Sequence, residues 1–200
     1  MKWFFNMDNP VMRTLSTLAD LIVLNLLTLV CSLPIITAGA AFAALNDACI
    51  RLVRSEDGEL ARDFFRALKV NFKKGTLLWL LCLLAAGVLY ADYLAALAYV
   101  PPLRVGIIAL ALILLSIAFY AFALLSRYEN PLMTTLRNAA KLAVGFFPRT
   151  LGMLVFALGL WLACLRWFGF GSLILLLVGL SLPVYFCAVL LDGVFKKIEK

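Results

Sequence analysis

Three polar side chains in the first apolar segment of this sequence share the spacing of one helix face. Asn25, Thr28 and Ser32 stand at positions i, i+3 and i+7 among mostly apolar neighbours. On an α-helix this spacing forms a single stripe. An unpaired amide or hydroxyl group is costly in an apolar environment. The stripe therefore predicts either hydrogen bonds between helices or one wall of a path for a polar solute or ion.

The sequence has few of the residues and motifs that catalysis, cofactor binding or metal binding requires. It has no histidine, which removes the commonest general base and the usual haem and zinc ligand. No phosphate-binding loop, dinucleotide fingerprint or nucleophile elbow is present. We therefore expect no catalytic, cofactor-binding or metal site, and a protein that is not an enzyme. The five cysteines form no Cys-x-x-Cys pair and are expected to be packing residues: Cys31, Cys49, Cys82, Cys164 and Cys187.

A second candidate site is a group of cations that share one helix face. At 100° per residue, four basic side chains fall within about 60° of arc. The aromatic and aliphatic residues Phe64, Phe65, Leu68 and Phe72 fill an arc on another side. Such a helix either rests on anionic lipid in the inner headgroup layer or docks on a cytoplasmic partner. The four cations, called the basic face below, are Arg62, Arg66, Lys69 and Lys73.

The elements that must position these residues are long apolar segments. With 65% hydrophobic and 14% charged residues and a mean hydropathy of +1.04, the chain leaves little room for a soluble domain. About 20 apolar residues cross a bilayer as a helix. The sequence thus predicts an all-α polytopic transmembrane bundle with basic amphipathic cytoplasmic connectors, forming one integral membrane domain over 1–200. The apolar segments are 18–45, 75–99, 103–126, 150–167 and 171–193.

The first apolar segment contains a candidate helix break. Pro34 removes a backbone donor and Gly39 tolerates a reversal of the chain. A break here makes the number of membrane-embedded helices six, whereas a single crossing makes it five. The small residues around Gly39 also predict a close helix contact. A broken helix could alternatively offer backbone groups to a ligand, as in transporters.

The basic residues predict the orientation. The loop 46–74 holds seven, the segment 127–149 four and the C-terminus three, against two at the hairpin tips. Fourteen against two places the basic loops and the C-terminus in the cytoplasm. The stretch 8–15 recurs at 129–136 with five of eight positions identical, which predicts a cytoplasmic N-terminus as well. The net charge of +7 therefore reflects orientation in a lipid bilayer rather than nucleic-acid binding.

Five short stretches near the N-terminus carry a family resemblance: NPVMRTL (9–15), LADL (18–21), LNLL (24–27), CSLPI (31–35) and TAGA (37–40). Together they resemble the N-terminal signature of the YesL family of bacterial integral membrane proteins, and the basic connector at 64–73 is similar as well. The resemblance implies a plasma-membrane protein of Gram-positive-type bacteria, often encoded near genes for carbohydrate uptake and polysaccharide degradation. It supplies no catalytic or ligand residues, because the family has no assigned activity.

Two functions remain open at this point. One is a non-enzymatic accessory protein associated with a membrane transport system, with a carbohydrate permease as its partner. In that case the basic face would dock on a cytoplasmic surface and the polar stripe would pack helices together. The other is a small permease that acts itself, alone or as a homo-oligomer, with the stripe Asn25, Thr28 and Ser32 lining its path.

Overall fold

The fold was analysed in a computed structural model that describes residues 10–54, 58–99, 102–166 and 177–198. Within these ranges every element of regular secondary structure is an α-helix. The helices are α1 (Pro10–Cys31), α2 (Ala38–Arg54), α3 (Leu60–Val70), α4 (Phe72–Tyr99), α5 (Leu103–Arg127), α6 (Leu132–Gly145), α7 (Phe147–Arg166) and α8 (Ser181–Ile198).

Three of the described helices are long and apolar enough to cross a membrane: α1 over Thr14–Cys31, α4 over Phe72–Leu97 and α5 over Leu103–Arg127. A fourth candidate is the pair α6 and α7, which bends by 95° at its break. In α8 the apolar part, Ser181–Gly193, is shorter than a crossing requires. The described part of the chain is thus all-helical with three to four candidate spans, and the predicted total of five or six embedded helices stays a prediction.

Helix α2 lies at the centre of the fold. It contacts α1, α3, α4, α5 and α8. Ten of its 17 residues are buried, among them five alanines and one glycine that let neighbouring helices approach closely. Its charged residues stand in the second half, where Asp47, Arg51 and Arg54 are half-buried. The small-residue stretch of the sequence therefore forms the helix against which five of the other described helices pack.

The break between α1 and α2 is an apolar turn closed by a threonine. Helix α1 ends at Cys31 and α2 begins at Ala38, so Pro34 lies in the turn and Gly39 in the first turn of α2. The hydroxyl of Thr37 lies 2.6 Å from the carbonyl oxygen of Cys31 and 2.8 Å from that of Pro34. These contacts engage carbonyl groups that the end of a helix leaves open. The turn also exposes three large apolar side chains: Leu33 (79%), Ile35 (70%) and Ile36 (60%).

Helices α4 and α5 form a hairpin that the rest of the described chain covers at one end. In α4, 6% of the most apolar stretch is buried inside the protein. In α5 the buried residues lie in the second half, from Ser116 to Leu125. The other half of the hairpin therefore presents long apolar surfaces, which suit lipid or another membrane protein.

Candidate functional site

The polar stripe begins with a side chain that holds another helix. Asn25 is completely buried, and its Oδ1 accepts hydrogen bonds from the backbone N–H groups of Leu180 (2.9 Å) and Ser181 (3.1 Å). Ser181 is the first residue of α8, where a helix leaves backbone N–H groups without internal partners. Asn25 thus supplies from α1 the cap that the start of α8 needs.

The other two members of the stripe hydrogen-bond within α1. The hydroxyl of Thr28 donates to the carbonyl oxygen of Leu24 at 2.7 Å, and the hydroxyl of Ser32 donates to that of Leu29 at 3.0 Å. Thr28 is buried, whereas Ser32 is half-buried near the end of the helix. These bonds favour the interpretation of the stripe as helix packing over its interpretation as a solute path.

The start of α2 crosses the start of α4 at unusually short range. A Cβ atom built on Gly39 would collide with the backbone carbonyl of Gly75 and with Cβ of Trp79. In return, a Cβ atom on Gly75 would lie 3.0 Å from the carbonyl oxygen of Gly39 and 3.1 Å from Cα of Ala40. Only glycine fits at such a crossing, because any side chain would push the two backbones apart.

This crossing also bears on the path of the first apolar segment. If the break between α1 and α2 lay at the membrane surface opposite to the basic loops, the first turn of α2 would lie beside the Tyr99 end of α4. In the structure it lies beside Gly75, in the first turn of α4 and next to Lys73 and Lys74. The break between α1 and α2 and the basic end of α4 are therefore at the same level.

The basic face extends over two helices. Arg62, Arg66 and Lys69 are exposed on α3, while Lys73 is exposed in the first turn of α4, because α3 ends at Val70. On the opposite side of α3, Phe64 and Ala67 are buried. The helix is thus anchored by its apolar side and presents its cations outward.

The acidic side chains near the basic face neutralise only a small part of its positive charge. Asp63 lies 3.3 Å from Arg66 but also 3.7 Å from Arg51 of α2, so its charge is shared. Arg62 approaches Glu59 at 3.9 Å, with both side chains about four-fifths exposed. Ion pairs at this exposure contribute little binding energy. The face therefore keeps a positive potential toward solvent or an anionic surface.

The aromatic arc of the basic connector differs from the prediction. Phe64 is buried against the protein and packs edge-on against Phe65 at 5.8 Å between ring centroids. Phe65 and Phe72, in contrast, are 44% and 40% exposed. The sequence pattern cannot show which of these rings is buried, because core packing and membrane contact both favour aromatic residues. Phe65 and Phe72 remain available on the flank of the basic face.

The second basic segment forms a helix of the same type. In α6, Arg137 and Lys141 are exposed and Thr135, Ala139 and Ala143 are buried. The repeated Asn-Pro stretch precedes or begins a helix in both copies, since α1 starts at Pro10 and α6 starts one residue after Pro131. Asn9, which precedes Pro10 in the first copy, lies outside the described residues.

Two polar contacts were not foreseen from the sequence. Nε of Arg54 lies 2.8 Å from Oδ1 of Asp192, with both side chains largely buried, and this ion pair joins the end of α2 to the second half of α8. The hydroxyls of Tyr120 and Thr150 lie 3.1 Å apart in the core between α5 and α7. Both contacts join residues far apart in sequence, so neither spacing nor periodicity could identify them.

Metal and disulfide chemistry find no support in the described part of the chain. No group of three or more His, Cys, Asp or Glu residues there could hold a metal ion. Cys31, Cys49, Cys82 and Cys187 are free, and two of them, Cys49 and Cys187, are buried.

Comparison with known proteins adds one similarity. A family described as "Protein of unknown function, DUF624" matches residues 21–93. No curated protein and no solved structure matches the chain. The described residues are therefore all-helical with several candidate membrane spans, and the chain is similar over about a third of its length to a family without an assigned function. The matched range contains the stripe, the break and the basic face, and it is consistent with the resemblance to the YesL family without naming it.

Proposed function

We propose that the protein is a non-enzymatic accessory component of a membrane transport system, with a carbohydrate permease as its partner. It lies in the bacterial plasma membrane with its basic loops, C-terminus and N-terminus in the cytoplasm. The carbohydrate assignment is supported by the family resemblance alone. The accessory role is supported by the surfaces that the fold leaves uncovered.

The basic face carries the proposal. Arg62, Arg66 and Lys69 point away from a helix that Phe64 and Ala67 anchor to the core. Lys73 extends the face onto the base of the α4–α5 hairpin. A partner could therefore contact the cations at the membrane surface and the exposed apolar side of α4 within the bilayer. That side includes Leu77, Leu80, Leu84 and Val88, which are 56%, 47%, 68% and 54% exposed.

The orientation follows from the distribution of basic residues. With Lys73 and Lys74 at the inner surface, the crossing of Gly39 and Gly75 brings the break between α1 and α2 close to that surface. The exposed apolar turn Leu33–Ile36 would then contact the inner leaflet. A cytoplasmic N-terminus then requires that α1 does not cross the bilayer fully, because a full crossing by Thr14–Cys31 from the inner surface would end outside.

The alternative function is a small permease that acts as a homo-oligomer. The exposed apolar surface of the α4–α5 hairpin would suit contact with a second copy of this chain as well as contact with a permease. However, the stripe that would line the path is engaged elsewhere, since Asn25 caps α8 and Thr28 bonds within α1. For this reason we place the accessory role first.

Charge reversal of the basic face tests the accessory role. We expect the triple substitution Arg62→Glu, Arg66→Glu and Lys69→Glu to reduce carbohydrate uptake by cells by about tenfold, equivalent to ~1.4 kcal/mol of lost docking energy. The measurement is the initial rate of labelled-sugar uptake, normalised to the amount of the protein in the membrane fraction.

The matched control keeps the charge and changes the side chains. Arg62→Lys, Arg66→Lys and Lys69→Arg should leave uptake unchanged if the face acts through its charge. Unchanged uptake in the reversed variant, with normal insertion, would contradict docking through this face and would favour a helix that only rests on lipid.

A further inference from the structure

The α4–α5 hairpin contains a groove on the side of α4 opposite to Leu77, Leu80 and Leu84. The groove has a volume of about 690 Å³ and is lined by apolar side chains of both helices, with Phe42 of α2 and Leu136 of α6 at one end. On α4 it extends from Trp79 to Tyr93. Alanines line part of both walls, and their small side chains leave the space between the two helices unfilled.

The length of the groove suits an extended acyl chain. From Trp79 to Tyr93 the α4 axis rises by about 21 Å, at ~1.5 Å per residue. One leaflet contributes about 15 Å of hydrocarbon, so such a chain fits along this length. An apolar space of this kind also does not hold water well.

The two ends of the groove differ in charge. At the α6 end, Leu136 lines the groove and the next residue, Arg137, is exposed. Lys74 precedes Trp79 by five residues, about 7.5 Å along the helix, and its Nζ contacts the carbonyl oxygen of Asn130 at 3.2 Å. Toward the other end stand Asp92, which lines a neighbouring cavity, and Arg104 in the first turn of α5, whose charges offset each other. An anionic headgroup is therefore favoured at the α6 end.

An unsatisfied donor lies at the same end as the cations. Nε1 of Trp79 is buried and has no hydrogen-bond partner among the described residues, although Trp79 lines the groove. A buried indole N–H normally finds an acceptor. An ester or phosphate oxygen of a phospholipid would supply an acceptor at this depth, just inside the level of Lys74, once the indole ring turns its buried Nε1 toward the groove.

We propose that the α4–α5 groove binds one acyl chain of an anionic phospholipid from the inner leaflet, with its headgroup beside Arg137 and its ester region near Trp79. The groove lies on the opposite side of α4 from the surface assigned to a transport partner, so this site does not depend on the proposed function. The ligand is a structural lipid of the bilayer that the protein retains more strongly than bulk lipid.

Fluorescence quenching of Trp79 tests this site directly. A variant with Trp3→Phe, Trp161→Phe and Trp167→Phe leaves Trp79 as the only tryptophan. It is reconstituted into phosphatidylcholine vesicles that contain increasing fractions of brominated-chain phosphatidylglycerol or brominated-chain phosphatidylcholine. We expect half-maximal quenching at about fivefold less of the anionic lipid, equivalent to the ~1 kcal/mol that one basic residue contributes near a membrane.

Three variants separate the chain site from the headgroup contact. Ala86→Phe, on the groove wall, should abolish the strong quenching, whereas Leu84→Phe on the opposite side of α4 should not. Arg137→Gln should remove the preference for the anionic lipid and retain quenching by both. If Ala86→Phe does not fold, Ala111→Phe on the α5 wall fills the same groove. Quenching in proportion to the bulk fraction of either lipid, with no effect of the groove variants, would overturn the proposal.

Discussion

Replacing Gly39 by alanine is expected to lower the free energy of unfolding by about 3 kcal/mol, the upper part of the range for overpacked sites. The added Cβ would collide with the backbone carbonyl of Gly75 and with Cβ of Trp79. A backbone group cannot rotate away as a flexible side chain can, so α2 and α4 would have to separate. Because α2 lies at the centre of the fold, the separation would affect its contacts with several helices. Thermal unfolding of the purified protein in mild detergent measures the effect.

Gly87 supplies the matched control for this substitution. It lies in α4, and a Cβ atom at this position has no neighbour within 4 Å. Gly87→Ala should therefore be neutral or stabilise the protein by about 0.5–1 kcal/mol, because alanine has the higher helix propensity. Equal stability of the Gly39→Ala and Gly87→Ala variants would show that α2 and α4 do not cross at Gly39.

Asn25→Leu is expected to destabilise the protein by about 2–4 kcal/mol. The substitution removes the oxygen that accepts hydrogen bonds from the backbone N–H groups of Leu180 and Ser181. It leaves these buried donors without that partner, and each such loss costs about 1–3 kcal/mol. The result is a looser start of α8, which proteolysis and thermal unfolding in detergent would both detect.

Thr28→Val is the control in the same stripe. Its hydroxyl bonds within α1 to the carbonyl of Leu24, which also belongs to the helical backbone, so the expected loss is below about 1 kcal/mol. The permease hypothesis predicts a different pair of results. Under that hypothesis both variants fold normally and both lose solute flux in liposomes. A stable Asn25→Leu protein would therefore contradict the capping role and favour the stripe as a solute path.

The sequence was informative where a property is local. Apolar length predicted the candidate spans that became α1, α4 and α5. Pro34 indicated the place where the helix is interrupted, and the small residues around Gly39 indicated a close contact. The Asn25, Thr28 and Ser32 spacing predicted one face of a helix, because the helical period fixes which side chains share a side.

The sequence was less informative where a property depends on distant residues. Nothing in the stretch around Gly39 identifies Gly75 as its partner, because the crossing depends on the path of α3 between the two helices. The pairing of Arg54 with Asp192 joins residues 138 positions apart. The separation of Phe64 from Phe65 likewise depends on which side of α3 meets α2. Periodicity gives the faces of a helix but not the identity of what covers each face.

The central claim, association with a transport system, is tested most directly by co-purification. The tagged chain is isolated from its own membranes in mild detergent, and the proteins that accompany it are identified and quantified by mass spectrometry. The account predicts a transport permease in stoichiometric amount with the wild type and its loss from the Arg62→Glu, Arg66→Glu and Lys69→Glu variant. A homo-oligomer of the chain without any transport component would contradict the account and direct the work to solute flux in liposomes.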